Sequence, residues 1–380
     1  MSVTPGTYSI GDISLPNPLV IASCPATEDA ARLLRCAEAG AAAAILKSCH
    51  APEHLPTDWG WRRFRQSMRG LWGTSAISRE LAHPEHALRI MRDVIGRTGM
   101  VLVPSIACFS LESSGWLDAL ELFADAGARL VQLDLFYLQE DLSLPSSQAR
   151  LRELILFLRQ RCSVGLLPKL NQELRPGAAA AVTRNTGIAG LSLLDSVRGH
   201  FAVAESSHHK DFPRFLHAGG LDCASLFGPW QLPLTCEYVY RLRRETDFSI
   251  VAGGGVEDAD DIIHLLALGA DAVQVATVVL REGPGWIKNT LTILEPVRRE
   301  INRNDAVFFA AHAYIDHEAC PACGRCAEQL MCAAIHMNCG KPEIDHHKCE
   351  GCGFCVSICP AGAITVARAE LSQNSAITTS

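Results

Sequence analysis

Eight short, almost continuously apolar runs recur along the chain: Leu19–Ser23, Ala43–Ser48, Val101–Ala107, Leu130–Phe136, Gly165–Leu170, Ala189–Asp195, Ser249–Gly255 and Ala272–Val278. Between them lie stretches such as Asp29–Glu38, Trp116–Ala126, Gln148–Arg161 and Asp258–Leu268, where apolar residues return every three or four positions, the spacing that lines one face of a helix. Gly40, Gly127, Gly187 and Gly269 each stand directly before a run, where a left-handed residue closes a helix C-terminus. Strands apolar on both faces belong to a parallel sheet that is covered on both sides. Eight strand-then-helix units predict an α/β fold, a closed (β/α)8 TIM barrel over residues 1–303. An open doubly wound sheet is the alternative. The connections from Ser48 to Val101 and from Asp195 to Ser249 are much longer than the others. Both follow the C-terminal end of a strand, where barrel sites are built, so they are expected to cover a substrate; packing or oligomer-contact insertions are the alternative.

Composition adds a second unit to this picture. At 380 residues and 48% hydrophobic content, the chain suits a barrel with a small appendage. The segment Trp286–Arg303 predicts the last barrel helix, residues 304–318 a connector, and residues 368–380, rich in Ser, Thr and Ala, a disordered tail. A net charge of -7 without any run of Lys and Arg argues against nucleic acid as a partner. The polar, turn-rich stretch Met1–Asn17 and the lack of 18 uninterrupted apolar residues predict a soluble, cytoplasmic protein with no membrane partner. Of 16 cysteines, nine fall between Cys320 and Cys359. Such clustering in CxxC spacing points to metal ligation rather than disulfides.

Cys349, Cys352, Cys355 and Cys359-Pro360 follow the CxxCxxCxxxCP run, in which three close cysteines wrap one [4Fe-4S] cubane and the fourth reaches a second. The partner run is Cys320, Cys323, Cys326 and Cys332, with five residues before the last cysteine instead of three. Crossed ligation assigns Cys320, Cys323, Cys326 and Cys359 to one cluster, and Cys349, Cys352, Cys355 and Cys332 to the other. Cys339 is the alternative eighth ligand, and paired zinc sites are the alternative chemistry. Residues 319–367 are therefore expected to form a ferredoxin-like module holding two [4Fe-4S] clusters.

The glycine-rich stretch Val251–Val256 ends one strand and opens the helix at Asp258, leaving N–H groups free for a phosphate, and Thr277 ends the next strand. The barrel, roughly Leu15 to Glu295, resembles the class 1 dihydroorotate dehydrogenases and the FMN-binding part of dihydropyrimidine dehydrogenase, which also ends in a two-cluster ferredoxin module. The motifs carrying the resemblance are Asn17–Ser23, Ala44–Ser48, Pro104–Ala107, Leu167–Lys169, Gly219–Leu221, Gly254–Val256 and Gly269–Val275. It implies FMN, with Ala22, Ser23, Lys47, Ser48, Lys169 and Gly220 among its contacts and Gly254, Gly255 and Thr277 at its phosphate. A lysine beside the ring has a physical purpose, since its charge stabilises anionic reduced flavin.

The resemblance fails where the family reads its substrate. Its Asn-x-Ser-Cys-Pro motif stands here as Asp134-Leu-Phe-Tyr137-Leu138, so Asp replaces Asn and Tyr137 takes the acid/base position. A second asparagine is replaced by Asp195, and a glycine by Cys223. An ionised aspartate only accepts hydrogen bonds, whereas an amide also donates. A tyrosine of ordinary pKa ~10 suits proton donation at neutral pH, which favours reduction of a double bond. Expected catalytic residues are Tyr137, Asp134, Asp195 and Lys47, with Cys24 and Cys49 as alternative acid/base groups or as inert buried thiols. No GxGxxG fingerprint for NAD or FAD is present. An external donor is therefore expected, either an NAD(P)H-oxidising flavoprotein subunit or a ferredoxin, with direct reduction by free NAD(P)H as the alternative. The substrate is expected to be a small unsaturated, heterocyclic molecule and the assembly a homodimer or hetero-oligomer. A true dihydropyrimidine or dihydroorotate dehydrogenase with altered contacts and a non-catalytic electron-transfer subunit are the rival functions.

Overall fold

A computed structural model describes residues 8–50, 65–66, 72–75, 81–194, 196–199, 224–297 and 311–368. The chain divides into two compact units, Met1–Ala306 and Val307–Ser380.

In the first unit all eight expected strands form: β1 (Leu19–Ile21), β2 (Ala43–Ile45), β3 (Val101–Val103 and Ser105–Ala107), β4 (Leu130–Asp134), β5 (Gly165–Lys169), β6 (Gly190–Leu193), β7 (Ser249–Gly253) and β8 (Ala272–Val275). Each pairs in parallel with its sequence neighbour, and β8 pairs with β1 through Val275 opposite Ile21. The ring closes within β3. Pro104 has no N–H to give a ladder; before it the strand pairs with β2 (Ile45 opposite Val103), and after it with β4 (Ser105 opposite Gln132). A proline is tolerated in this central strand because it sits where the strand changes partner.

Every residue of β1, β2, β4 and β6 is buried, which accounts for the continuous apolar runs. Helices Ala30–Glu38, Ser113–Asp125, Pro145–Arg161 and Ala259–Ala267 realise the expected amphipathic stretches. Gly40, Gly127, Gly187 and Gly269 take φ values of 101°, 88°, 74° and 113°, as helix C-termini require. The last helix of the unit spans Gly285–Val297.

Two features were not foreseen. An antiparallel hairpin, Tyr8–Ile10 with Ile13–Leu15, sits at the N-terminal end of β7, where Gly11 N donates to Ser249 Oγ at 3.0 Å. The two long insertions also join in one antiparallel sheet: Val197–Gly199 pairs with Ala224–Phe227, which pairs with Trp72–Ser75, which pairs with Arg65–Gln66. Both insertions leave C-terminal ends of strands, so shared pairing lets each satisfy backbone groups that neither could satisfy alone.

In the second unit, Ala311–Ile315 pairs antiparallel with Ile364–Arg368, and Ile335–Asn338 with Lys341–Ile344. Short helices Arg325–Glu328 and Phe354–Ile358 each begin one residue before a cysteine, Cys326 and Cys355. Residues 311–315 fall inside the stretch expected as a connector over 304–318, yet they form a strand, because Ile364–Arg368 needs a partner along its edge. The expected tail beyond Arg368 lies outside the described residues.

A partly buried ion pair ties the last turns of the barrel together. Asp271 Oδ2 accepts from Arg243 Nη2 at 2.6 Å and from Ile250 N at 2.8 Å. Arg243 also donates to the carbonyls of Gly269 and Thr246. Removing one member of such a pair leaves an uncompensated charge and an orphaned amide, costing about 3 kcal/mol. Asp271→Ala should lower barrel stability by about that amount and Asp271→Asn by less, measured by urea titration of tryptophan fluorescence on the full chain.

Candidate functional site

The C-terminal ends of the barrel strands surround one cavity of about 420 Å³, within the range of small-molecule and cofactor sites. Ten of the residues singled out from the sequence line it: Ala22, Ser23, Lys47, Ser48, Asp134, Tyr137, Lys169, Gly254, Gly255 and Thr277. Asp195 and Gly220 lie outside the described residues, although Leu194 and Ser196, on either side of Asp195, both line the cavity. Placement at strand ends follows from the register: Lys169 ends β5 opposite Asp134 at the end of β4, so cation and carboxylate emerge together.

The glycine loop after β7 is closed against its neighbours. Gly254 and Gly255 have φ of 103° and 92°. A Cβ on Gly254 would stand 2.8 Å from Gln231 Nε2, and one on Gly255 would overlap the backbone nitrogen of Leu232. Thr235 Oγ1 braces the loop by donating to the Gly254 carbonyl at 2.8 Å. Only glycine fits, and the backbone stays bare toward the cavity.

Asp134 is tied into the wall. Its Oδ2 accepts from Ser48 Oγ at 2.6 Å, and its Oδ1 accepts from Phe136 N at 3.2 Å, capping the 3-10 turn Leu135–Tyr137. That turn presents Tyr137, 1% exposed, to the cavity between Phe109 and Phe136, both edge-on to its ring. Lys169 is buried and Lys47 half-buried on the same wall.

The two cysteine candidates separate. Cys24 lines the cavity, and burial pushes its thiol from 9.0 up to about 11 despite the opposing charge of Lys47. Cys49 is fully buried, with its Sγ 3.3 Å from the Ser105 carbonyl, and is not among the cavity-lining residues. Geometry therefore removes Cys49 as an acid/base group.

The sequence reading missed Glu28, Gln231, Glu257, Phe227 and Gln274, all of which line the cavity. Gly228-Pro229, a turn signal directly before a helix, was the available hint for Gln231 and Phe227. Nothing in the pattern marked Glu28, which the short helical turn Pro25–Glu28 carries to the rim.

In the second unit a cavity of about 260 Å³ is lined by Cys332, Cys349, Cys352 and Cys355 together with Leu330, Ile335 and Ile344. This is the set that crossed ligation assigns to one cluster. Cys339 instead takes a left-handed φ of 48° at the tip of the hairpin, exposed, and does not line that cavity. Burial raises the Cys326 thiol, and the charges of Cys320, Cys323 and Cys359 raise it further. Among the described residues no group of three or more His, Cys, Asp or Glu side chains is gathered as for a single metal ion.

Comparison with known proteins fits both units. Residues 342–365 match the 4Fe-4S binding domain family. Over 201 residues the chain is 27% identical to a putative dihydroorotate dehydrogenase A (fumarate) of Aeropyrum pernix, covering 52% of this chain and 62% of that protein. The chain is thus similar to a dihydroorotate dehydrogenase over about half its length. It is 42% identical over 52 residues to the catalytic subunit of dihydroorotate dehydrogenase B (NAD(+)) of Staphylococcus carnosus, 14% of this chain and 17% of that one. It is also 41% identical over 71 residues to dihydroorotate dehydrogenase (quinone) of Kineococcus radiotolerans, 18% of this chain and 19% of that one. The matches thus span less than two thirds of each of these relatives. Among the described residues no helix is long and apolar enough to cross a membrane.

Two outcomes are expected here. Cys332→Ser should lose about half the iron of anaerobically purified protein while Cys339→Ser keeps it all, by colorimetric iron assay. Stability should also fall at alkaline pH. Cys24 and Cys236 are raised from 9.0 to about 11 by burial, so the folded chain holds these protons while the unfolded chain releases them. Their stabilising contribution is full below about pH 9 and is lost as pH climbs to about 11. The urea midpoint should drop across that window, and less steeply in Cys236→Ala.

Proposed function

We propose that this chain is a flavin and iron-sulfur reductase: electrons from an external donor protein enter the ferredoxin-like unit, reach FMN in the barrel mouth, and reduce an activated C=C bond of a small heterocycle. One observation carries the reading. Two lysines, Lys47 and Lys169, share a cavity with a glycine loop that admits no side chain, in a chain that also carries a 4Fe-4S binding domain.

The residues present fit FMN. Bare backbone at Gly254 and Gly255 suits a phosphate, with Thr277 beside it, and the lysines suit a ring that gains negative charge on reduction. FMN, when bound, supplies the hydride chemistry that side chains lack. The chain supplies the rest. Tyr137, edge-on to Phe109 and Phe136, is read as the proton donor to the substrate carbon, with Cys24, protonated at neutral pH, as the alternative donor. Asp134 does not replace the family asparagine as a substrate reader in kind, since the protein fills one site on each of its oxygens. That difference supports a substrate unlike a plain pyrimidine imide. The donor is read as an NAD(P)H-oxidising flavoprotein subunit or a ferredoxin.

A second reading, an electron-transfer subunit whose flavin only relays charge, draws support from the same occupied carboxylate. Anaerobic screening of unsaturated heterocycles against dithionite-reduced protein, followed at the flavin absorbance, separates the two. The reductase should be reoxidised by at least one such compound, whereas a relay would be reoxidised by none. Tyr137→Phe should slow that reoxidation by about 10² or more with flavin content unchanged. Lys169→Ala should both weaken flavin retention and slow the reaction by about 10².

A further inference from the structure

The two halves of the second unit repeat one local design but differ at one position. Gly324 and Gly353 take left-handed φ values of 72° and 76°. Each precedes a short helix, Arg325–Glu328 or Phe354–Ile358, whose second residue is a cysteine. The residue between glycine and cysteine therefore has the same place in both halves: Cys323-Gly-Arg-Cys326 puts Arg325 there, and Cys352-Gly-Phe-Cys355 puts Phe354 there. Phe354 is 69% exposed, and Met331, directly before Cys332, is 106% exposed. Both line the cavity that gathers Cys332, Cys349, Cys352 and Cys355. The longer cysteine spacing makes room for Met331, since five residues separate Cys326 from Cys332 and three separate Cys355 from Cys359.

A phenyl ring and a thioether left in water forgo the stabilisation that burial would give them, and two of them at one rim mark a surface that another molecule covers. The rim is poor in charge. Gln329–Gly340 and Gly351–Ala367 contain no Asp, Glu, Lys or Arg, and among the described residues lining the cavity, cysteines aside, Glu350 is the one ionisable group. We infer that Met331 and Phe354 are the docking face for the external electron donor, a protein with an apolar contact patch flanked by basic residues, and that electrons enter at the cluster site of Cys332, Cys349, Cys352 and Cys355. The donor rests on the reductase reading; the exposed rim stands without it. On transfer the donor's centre is oxidised by one electron and the cluster is reduced by one, with no bond made or broken. Close approach is then what the protein must provide, and weak electron-transfer contacts provide it with a small interface. Glu350 complements a cation on the partner and speeds encounter.

Cytochrome c, a basic one-electron haem protein, is the probe, because one contact face serves transfer in either direction. Full-length protein, with iron and flavin measured in every sample, is reduced with dithionite, freed of the excess and mixed with ferric cytochrome c in stopped flow. Ferricyanide, a small ion that needs no docking face, is the control oxidant, and calorimetry with both proteins oxidised gives the Kd. Met331→Ser with Phe354→Ser should weaken binding and slow haem reduction by about tenfold or more, with iron content and the ferricyanide rate unchanged. Met331→Ser alone, at a side chain with no packing to lose, should weaken both by about threefold. Glu350→Gln should flatten the salt dependence of the rate, and Met337→Ser, on the hairpin outside this cavity, should change nothing. Unchanged Kd and rate in the double variant overturn the inference. So does wild type that reduces ferricyanide but not cytochrome c, or a wild-type dimer in sedimentation that the double variant splits, which would assign the face to a second copy of the chain. If the rim dependence holds and no heterocycle reoxidises the flavin, the reductase reading fails and this inference survives. If a heterocycle does reoxidise it and the rim variants behave as wild type, the inference fails alone.

Discussion

Closure of the barrel at Pro104 is the constraint on which the rest of the structure depends. A parallel sheet has no edge to spare in water, and here one strand serves two neighbours in turn, β2 before the proline and β4 after it. Because the ring closes, the strands are buried along almost their whole length, and the charged Asp134 and Lys169 stand at strand ends. Lys47, Asp134, Lys169 and the glycine loop then meet at one mouth, although they come from four different βα units. Ser105, the first residue after Pro104, also joins the hydroxyl chain that ends on Asp134.

Much of this was legible in the sequence because the strands report their environment directly. Runs such as Leu19–Ile21 are apolar because they are enclosed, and glycines such as Gly40 mark helix ends by a backbone angle that other residues reach only at a cost. The four cysteines around the second cavity were legible from spacing, which favours Cys332 and leaves Cys339 as the alternative; Cys332 lines the cavity and Cys339, at the hairpin turn, does not. The sheet joining the two insertions was not legible, since its pairing is long-range and its strands carry no periodic signal of their own. Residues 311–315 read as connector for the same reason: their partner lies some fifty residues further along, at Ile364–Arg368.

The resemblance that the motifs carry fails at position 134, where one residue type changes what its neighbours can do. Position 134 carries a carboxyl group that accepts from Ser48 Oγ and Phe136 N, where an amide would offer one acceptor and one donor. Similarity to dihydroorotate dehydrogenases therefore carries the scaffold more securely than it carries the substrate, in keeping with the general separation of fold from chemistry. Cys24 illustrates the same point from the opposite direction: it stands in the cavity, but burial keeps its thiol protonated, so it can donate a proton and cannot serve as a ready base.

The central claim is that one polypeptide holds a flavin in its barrel and iron-sulfur clusters in its second unit. Quantifying both in protein purified without oxygen addresses it most directly. About one flavin and about eight irons per chain, with the iron falling and the flavin unchanged when the second-unit cysteines are replaced, is the expected result. Colourless protein with neither group in stoichiometric amount would contradict it.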